Sequence, residues 1–295
     1  MWKTTLLLIT TLIVAPILAY ILDEPPSEEQ VKIIHLLGII CLSNIILCFV
    51  VSTITQNYSQ VDKLWSIMPI VYAWITAWQA DWESRLLIMA LLVTIWGVRL
   101  TYNFYRRGGY QLKIWAGEED YRWSVLRQRK EFNSPIKWML FNLFFISIYQ
   151  MLLILLFTIP IVKCMGGDPL SIVDWILATF FILFVVIETI ADQQQWSFQN
   201  NKKRYPKKCR GFLDTGLWGI VRHPNYAAEQ AIWIVFYFFS ISATGVWVNW
   251  SIIGCILLVF LFKGSSDFSE SISLGKYPEY KEYQKSIPRF LPMRF

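Results

Sequence analysis

Long apolar runs recur along this chain and decide what it can become. Stretches dominated by apolar residues cover 1–22, 33–54, 64–80, 84–105, 136–162, 171–191, 225–241 and 250–262. A bilayer's hydrocarbon core is about 30 Å thick, and roughly 20 mostly apolar residues cross it as a helix. Inside that core every backbone N–H and C=O must be bonded within the segment or to a closed barrel, and continuous runs of this length read as helices. Of the 295 residues, 55% are hydrophobic and 17% aromatic, and rings can serve both interfacial belts and helix packing. The expected fold is therefore all-α: a polytopic membrane helical bundle of about seven to eight transmembrane helices. Residues 1–60 supply N-terminal transmembrane helices and residues 61–295 the remaining membrane domain. Residues 1–22 share the outline of a cleaved signal peptide. The run is long and no small-x-small cleavage site follows it, so a first span is expected.

Charge orients the bundle. The net charge is +6, and most Lys and Arg fall in the segments 106–135, 192–224 and 263–295. The alternate loops hold only Lys32, Arg85 and Lys163. By the positive-inside rule the large loops and both termini are expected to be cytoplasmic, with the endoplasmic reticulum as the membrane if the source is eukaryotic. Positives confined to loops between spans argue against nucleic acid as a partner. Five Cys (41, 48, 164, 209, 255) form no CxxC, and there are two His in all, so neither a disulfide framework nor a metal site is expected.

Residues 214–229, DTGLWGIVRHPNYAAE, concentrate chemistry. Pro224 fixes its own φ and keeps His223 out of the α region, so a helix is expected to start there. Asn225 and Glu229 then share one face, four apart. Arg222 and His223 stand where a helix N-terminus already favours an anion. A Glu at bilayer depth is expensive and by default marks function. The alternative is that the basic residue is a topology signal and that Glu229 pairs with Arg222. Elsewhere, Arg99 lies inside the fourth run and needs a carboxylate, for which Asp62 is the candidate. Glu188 and Asp192 lie four apart at the end of the sixth. Gly108-Gly109 opens a long polar loop whose interleaved aromatics argue against disorder. Tyr277, Tyr280 and Tyr283 recur at threes in the tail.

With FLDTGLWGIVRHPNYAAE, the upstream ETIADQQQWSFQ and the downstream KYPEYKEYQ and PRFLP, the chain resembles the DUF1295 family of membrane proteins, itself related to the steroid 5-alpha-reductases. VDKLW, LLVTIWGVRL and GEEDYRW carry the same resemblance, which spans roughly residues 62–292. It implies a helical fold holding NADPH at its cytoplasmic half. The cofactor residues it implies are Arg106, Arg107, Asp192, Arg222, His223, Asn225, Tyr226, Glu229, Tyr280 and Tyr283. It also implies a carboxyl and a phenol that hydrogen-bond a substrate ketone. The carboxyl position is Asp62. The phenol position is occupied by Trp96, whose indole donates a hydrogen bond but supplies no proton, and Tyr102 is the available substitute. Gln195, Gln199 and Gly219 stand where many relatives carry cations.

The expected function is NADPH-dependent reduction of a lipid-like enone of sterol, polyprenyl or fatty-acyl type, with a hydrophobic small molecule and membrane lipids as partners. Two alternatives remain open. One is a non-catalytic protein or accessory subunit that keeps the fold and binds a protein partner. The other is a membrane methyltransferase using S-adenosylmethionine, which shares RHP and a tail carboxylate, Glu270.

Overall fold

The computed structural model describes residues 21–293 apart from Ile114 and residues 206–210, together with Val14 and Ile17. The expected first span and Cys209 therefore fall outside the described residues, the span all but its last two positions and the two earlier ones. Among the described residues all regular structure is helical.

Helix α1, Glu28–Thr55, opens on a capping box in which Ser27 and Gln30 satisfy each other's backbone N–H. Two short helices follow, α2 (Gln60–Trp65) and α3 (Met68–Gln79). Next come α4 (Ser84–Tyr105) and α5 (Tyr121–Arg127). Helix α6 runs Pro135–Lys163 and widens to a π-helical stretch over Asn142–Tyr149. Helix α7, Ile172–Arg204, has a second capping box, made by Ser171 and Asp174. Helix α8, Pro224–Thr244, begins at Pro224 as its sequence dictates and ends on Gly245 at φ 70°, the left-handed terminus that glycine adopts without strain. Helix α9 covers Ile253–Lys276 and α10 Tyr280–Ser286.

Six of these helices are long and apolar enough to cross a membrane: α1, α4, α6, α7, α8 and α9. Their outward faces carry rows of exposed apolar residues, such as Ile39, Leu42, Ile46 and Val50 on α1 and Ile176, Phe180, Leu183 and Ile190 on α7. Such stripes suit lipid and would be an aggregation hazard in water. The expected third span, 64–80, is instead broken between α2 and α3. Ser66 and Ile67 separate the two, and Pro69, which cannot donate a hydrogen bond, sits in the first turn of α3. Two spans are also longer than expected. Helix α7 continues through the basic segment to Arg204, and α9 continues past 262 into what the sequence suggested was tail.

The bundle has two distinct ends. One gathers the N-termini of α1, α4, α7 and α9 with the C-termini of α6 and α8. It is tied by a buried Arg85–Asp174 pair (2.9 Å) and by Lys163–Asp23 (2.8 Å). The other gathers α2, the segment 106–135, the C-terminal halves of α4, α7 and α9, and α10. There Asn57, Gln60 and Lys63 donate to the carbonyls of Gly117, Trp115 and Ala116, so the long polar segment is fastened to α2. Between the ends, Trp96, Phe157, Trp233 and Phe236 form a buried aromatic core, with Trp96 and Trp233 edge to face at 4.9 Å. Gly254 lets α9 approach α6 so closely that a Cβ there would lie 2.1 Å from the Leu156 carbonyl.

Candidate functional site

Three long helices each present two polar residues one turn apart, and the pairs meet. Helix α4 offers Arg99 and Asn103, α7 offers Glu188 and Asp192, and α8 offers Asn225 and Glu229. Asp192 is the hub. Its Oδ2 accepts from Arg99 Nη1 at 2.9 Å and from Asn103 Nδ2 at 2.8 Å. Its Oδ1 accepts from Asn225 Nδ2 at 3.2 Å, and Arg107 Nη2 approaches to 4.0 Å. Arg99 Nη2 lies 2.5 Å from Glu188 Oε2. Arg99 is thus partnered by Glu188 and Asp192, not by Asp62 as the sequence suggested. Its Nε is buried without an acceptor.

One turn deeper, Glu229 is 4% exposed and both its oxygens are engaged. Trp96 Nε1 donates to Oε2 at 2.7 Å and Trp233 Nε1 to Oε1 at 3.2 Å. Glu229 therefore does not pair with Arg222. Trp96, the residue at the expected phenol position, spends its one donor on this carboxylate.

Toward the surface the seam continues through Tyr226, whose hydroxyl accepts from Arg122 Nη1 at 3.2 Å. Arg122 makes a fork to Asp120. Trp123, next to it, donates to Asp62 Oδ2 at 3.3 Å. Asp62 belongs to α2, outside the six spans. Burial first, and then the repulsion of Asp120, raise its pKa above the usual carboxylate range. Burial alone would raise Asp120 as well. The charge and hydrogen bonds of Arg122 outweigh it, and Asp120 is held below its ordinary value.

A separate network closes the back of this end. Arg222 Nε and His223 Nε2 both meet Glu270 Oε1, at 2.7 and 2.9 Å, while Gln284 and Arg289 reach Oε2. Arg222 also donates to the Gln284 and Ile287 carbonyls. The backbone N–H groups of Arg222 and His223 donate to the carbonyls of Pro288 and Arg289, so the tail lies along the RHP segment like a strap. Tyr280 and Tyr283 are buried against Phe212, and the Tyr283 hydroxyl donates to the Trp218 carbonyl.

The structure thus brings Arg107, Asp192 and Asn225 together. It sets Glu229 beneath them, and it links Tyr226 to the Asp62 corner through Arg122. Arg106 bonds Asn103 and Gln193. Arg222, His223, Tyr280 and Tyr283 form the strap contact instead. Tyr102 stands apart from Asp62 and meets Arg106, whose guanidinium carbon lies 6.0 Å from its ring centre. It is 62% exposed on the outer face of α4, and no hydrogen bond joins it to Asp62 among the described residues. Sequence reasoning missed Arg122, Asn103 and Trp233. The one available signal was that Trp233 and Asn103 fall four positions from Glu229 and Arg99, one helical turn away on the same face.

A bundle of membrane-length helices with a charged cluster buried at one end defines a multi-pass membrane protein. The chain belongs to the DUF1295 family, described as proteins of unknown function, whose profile matches residues 48–287. An uncharacterized protein of Schizosaccharomyces pombe (strain 972 / ATCC 24843), C594.04c, is 38% identical over 265 residues, covering 82% of this chain and 74% of the relative. No solved structure matches the chain.

Proposed function

We propose that this chain is a membrane-embedded, NADPH-dependent reductase of a lipid-like enone. The observation that carries the reading is the convergence on Asp192. Asn103 from α4, Asn225 from α8 and Arg107 from the following segment all address one carboxylate that α7 supplies. Arg107 is 45% exposed, a guanidinium at the mouth of a buried polar cluster, which is the donor chemistry a phosphate requires. Amides and a carboxylate beside it suit ribose hydroxyls and a carboxamide. The buried Nε of Arg99 is a donor still without an acceptor. The fit is therefore good around Asp192. At Glu229 it requires one indole to yield, and the longer contact, Trp233, is the one to exchange.

Bound there, the dinucleotide would supply a hydride. The protein's share is positioning and protonation. Burial and Asp120 favour the protonated form of Asp62, and in that form it can donate a hydrogen bond to a ketone oxygen as negative charge develops on it. Tyr102 lines an apolar groove of about 360 Å³ with Val98, Thr101, Tyr105 and Tyr110, a surface suited to a lipid-like substrate. In this reading the Asp192 end faces the cytoplasm, because at the opposite end two of the three cations are neutralised by Asp174 and Asp23.

A second reading, a non-catalytic protein that keeps the fold, is favoured by one observation. Arg222, His223 and Glu229 are already satisfied within the chain. Thermal unfolding with NADPH, NADH and S-adenosylmethionine side by side separates the readings. A ligand at about 100 Kd adds roughly 2.7 kcal/mol. A shift with NADPH that disappears in Glu229→Gln supports the reductase. A shift with S-adenosylmethionine alone, or with none of the three, overturns it.

A further inference from the structure

Arg106 and Arg107 are neighbours in sequence but face different surroundings. Arg107 turns to Asp192. Arg106 is held by two neutral groups, its Nε donating to Asn103 Oδ1 at 2.9 Å and its Nη1 to Gln193 Oε1 at 2.7 Å. Its guanidinium carbon lies 5.0 Å from the centre of the Trp196 ring and 6.0 Å from that of Tyr102. The nearby carboxylate, Asp192, is already engaged by Arg99 and Arg107. Arg106 is thus a fixed cation between two aromatic faces, with its second amino group making no hydrogen bond among the described residues.

Tyr102 belongs at once to this cation site and to the apolar groove on the outer face of α4. Leu91, Ile95, Val98, Tyr102 and Tyr105 are all exposed, at spacings of three and four, so the groove lies on the helix's lipid-facing stripe. An open apolar groove whose Tyr102 ring also lies 6.0 Å from the Arg106 guanidinium carbon is complementary to an amphiphile. The apolar tail would lie along Val98 and Tyr102, and an anionic head would meet Arg106.

We propose that this groove binds a single-chain lipid with an anionic head group, and that Arg106 serves that head group rather than the dinucleotide. The inference names the substrate class for the reductase reading and rests on that reading for its catalytic meaning, but its binding test does not depend on it. A neutral sterol would leave Arg106 unused.

The test uses the full chain in nanodiscs of zwitterionic phosphatidylcholine. Photoreactive diazirine palmitate and the matching diazirine alcohol are cross-linked in parallel and mapped by mass spectrometry. NADPH binding is measured on the same preparations. Palmitate should label the segment 98–110 at a concentration roughly tenfold or more below the alcohol, the size expected of one charge-assisted contact. Arg106→Gln should erase that preference, and Arg106→Lys, which keeps the charge, should retain it. Val98→Trp, which fills the groove from its lipid-facing side, should suppress labelling by both probes. Equal labelling by acid and alcohol in the unmodified protein would overturn the proposal. So would an Arg106→Gln variant that keeps the preference for acid, or one that loses NADPH binding instead. If the unmodified protein binds no NADPH, the reductase reading falls and the lipid result is still read on its own.

Discussion

Replacing Arg99 with Met tests whether the buried charge cluster organises this end of the bundle. Arg99 is the guanidinium between Glu188 and Asp192, each of which is 4% exposed. Removing one partner of a buried ion pair costs about 3–5 kcal/mol, because the remaining charge is left desolvated. The two carboxylates should not share that loss equally. Asp192 keeps hydrogen bonds from Asn103 and Asn225, whereas Glu188 Oε2 has Arg99 as its close partner. Adding Glu188→Gln to Arg99→Met should therefore recover about 1–3 kcal/mol, and adding Asp192→Asn distinctly less. Unfolding by SDS in mixed micelles, read by circular dichroism, measures each step. If Arg99→Met costs less than about 1 kcal/mol, the value of an exposed pair, the cluster is solvated and the reasoning fails.

Other expectations follow from single contacts. Gly254→Ala should destabilise the α6–α9 contact by about 1–3 kcal/mol, since its Cβ would overlap the Leu156 backbone; an unchanged SDS unfolding curve would contradict that close approach. The Asp62 corner should show opposed pH dependences. Asp120 sits below its ordinary pKa, so its contribution is present above the usual carboxylate range and is lost as pH falls through the folded value. Asp62 sits above its ordinary pKa, so its protonated form is favoured and stability declines as pH rises through the folded value. Asp62→Asn should accordingly protect the segment 106–135 from proteolysis at neutral to alkaline pH, and Asp120→Asn should expose it. The opposite order would refute the assignment of the two carboxyls.

Much of the bundle could be read directly. Six apolar runs became membrane-length helices, because length and hydropathy suffice where a backbone must bond to itself. The third run failed because Ser66, Ile67 and Pro69 interrupt the hydrogen-bond ladder within a stretch whose average hydropathy conceals the break. The extensions of α7 to Arg204 and of α9 to Lys276 were hidden for the reverse reason. Polar residues there continue a helix whose membrane portion has already ended. In the site, one-turn spacing within α7 and α8 was visible, but the pairing between helices was not. Arg99 needed a carboxylate, and sequence reasoning chose Asp62 although Glu188 and Asp192 were also present. Only packing selects the last two. Trp96 looked like a lost phenol, and only the fold shows its indole N–H directed at Glu229.

The most direct measurement is transfer of label. The purified protein is incubated with NADPH carrying deuterium at the transferable C4 position and a total lipid extract from its native membrane, and the lipids are read by mass spectrometry. The account predicts one lipid species that gains one deuterium and one proton across a former double bond, and no such species with the Asp192→Asn or Glu229→Gln variants. A protein that binds NADPH yet labels no lipid would contradict the claim that this cluster is a reductase site.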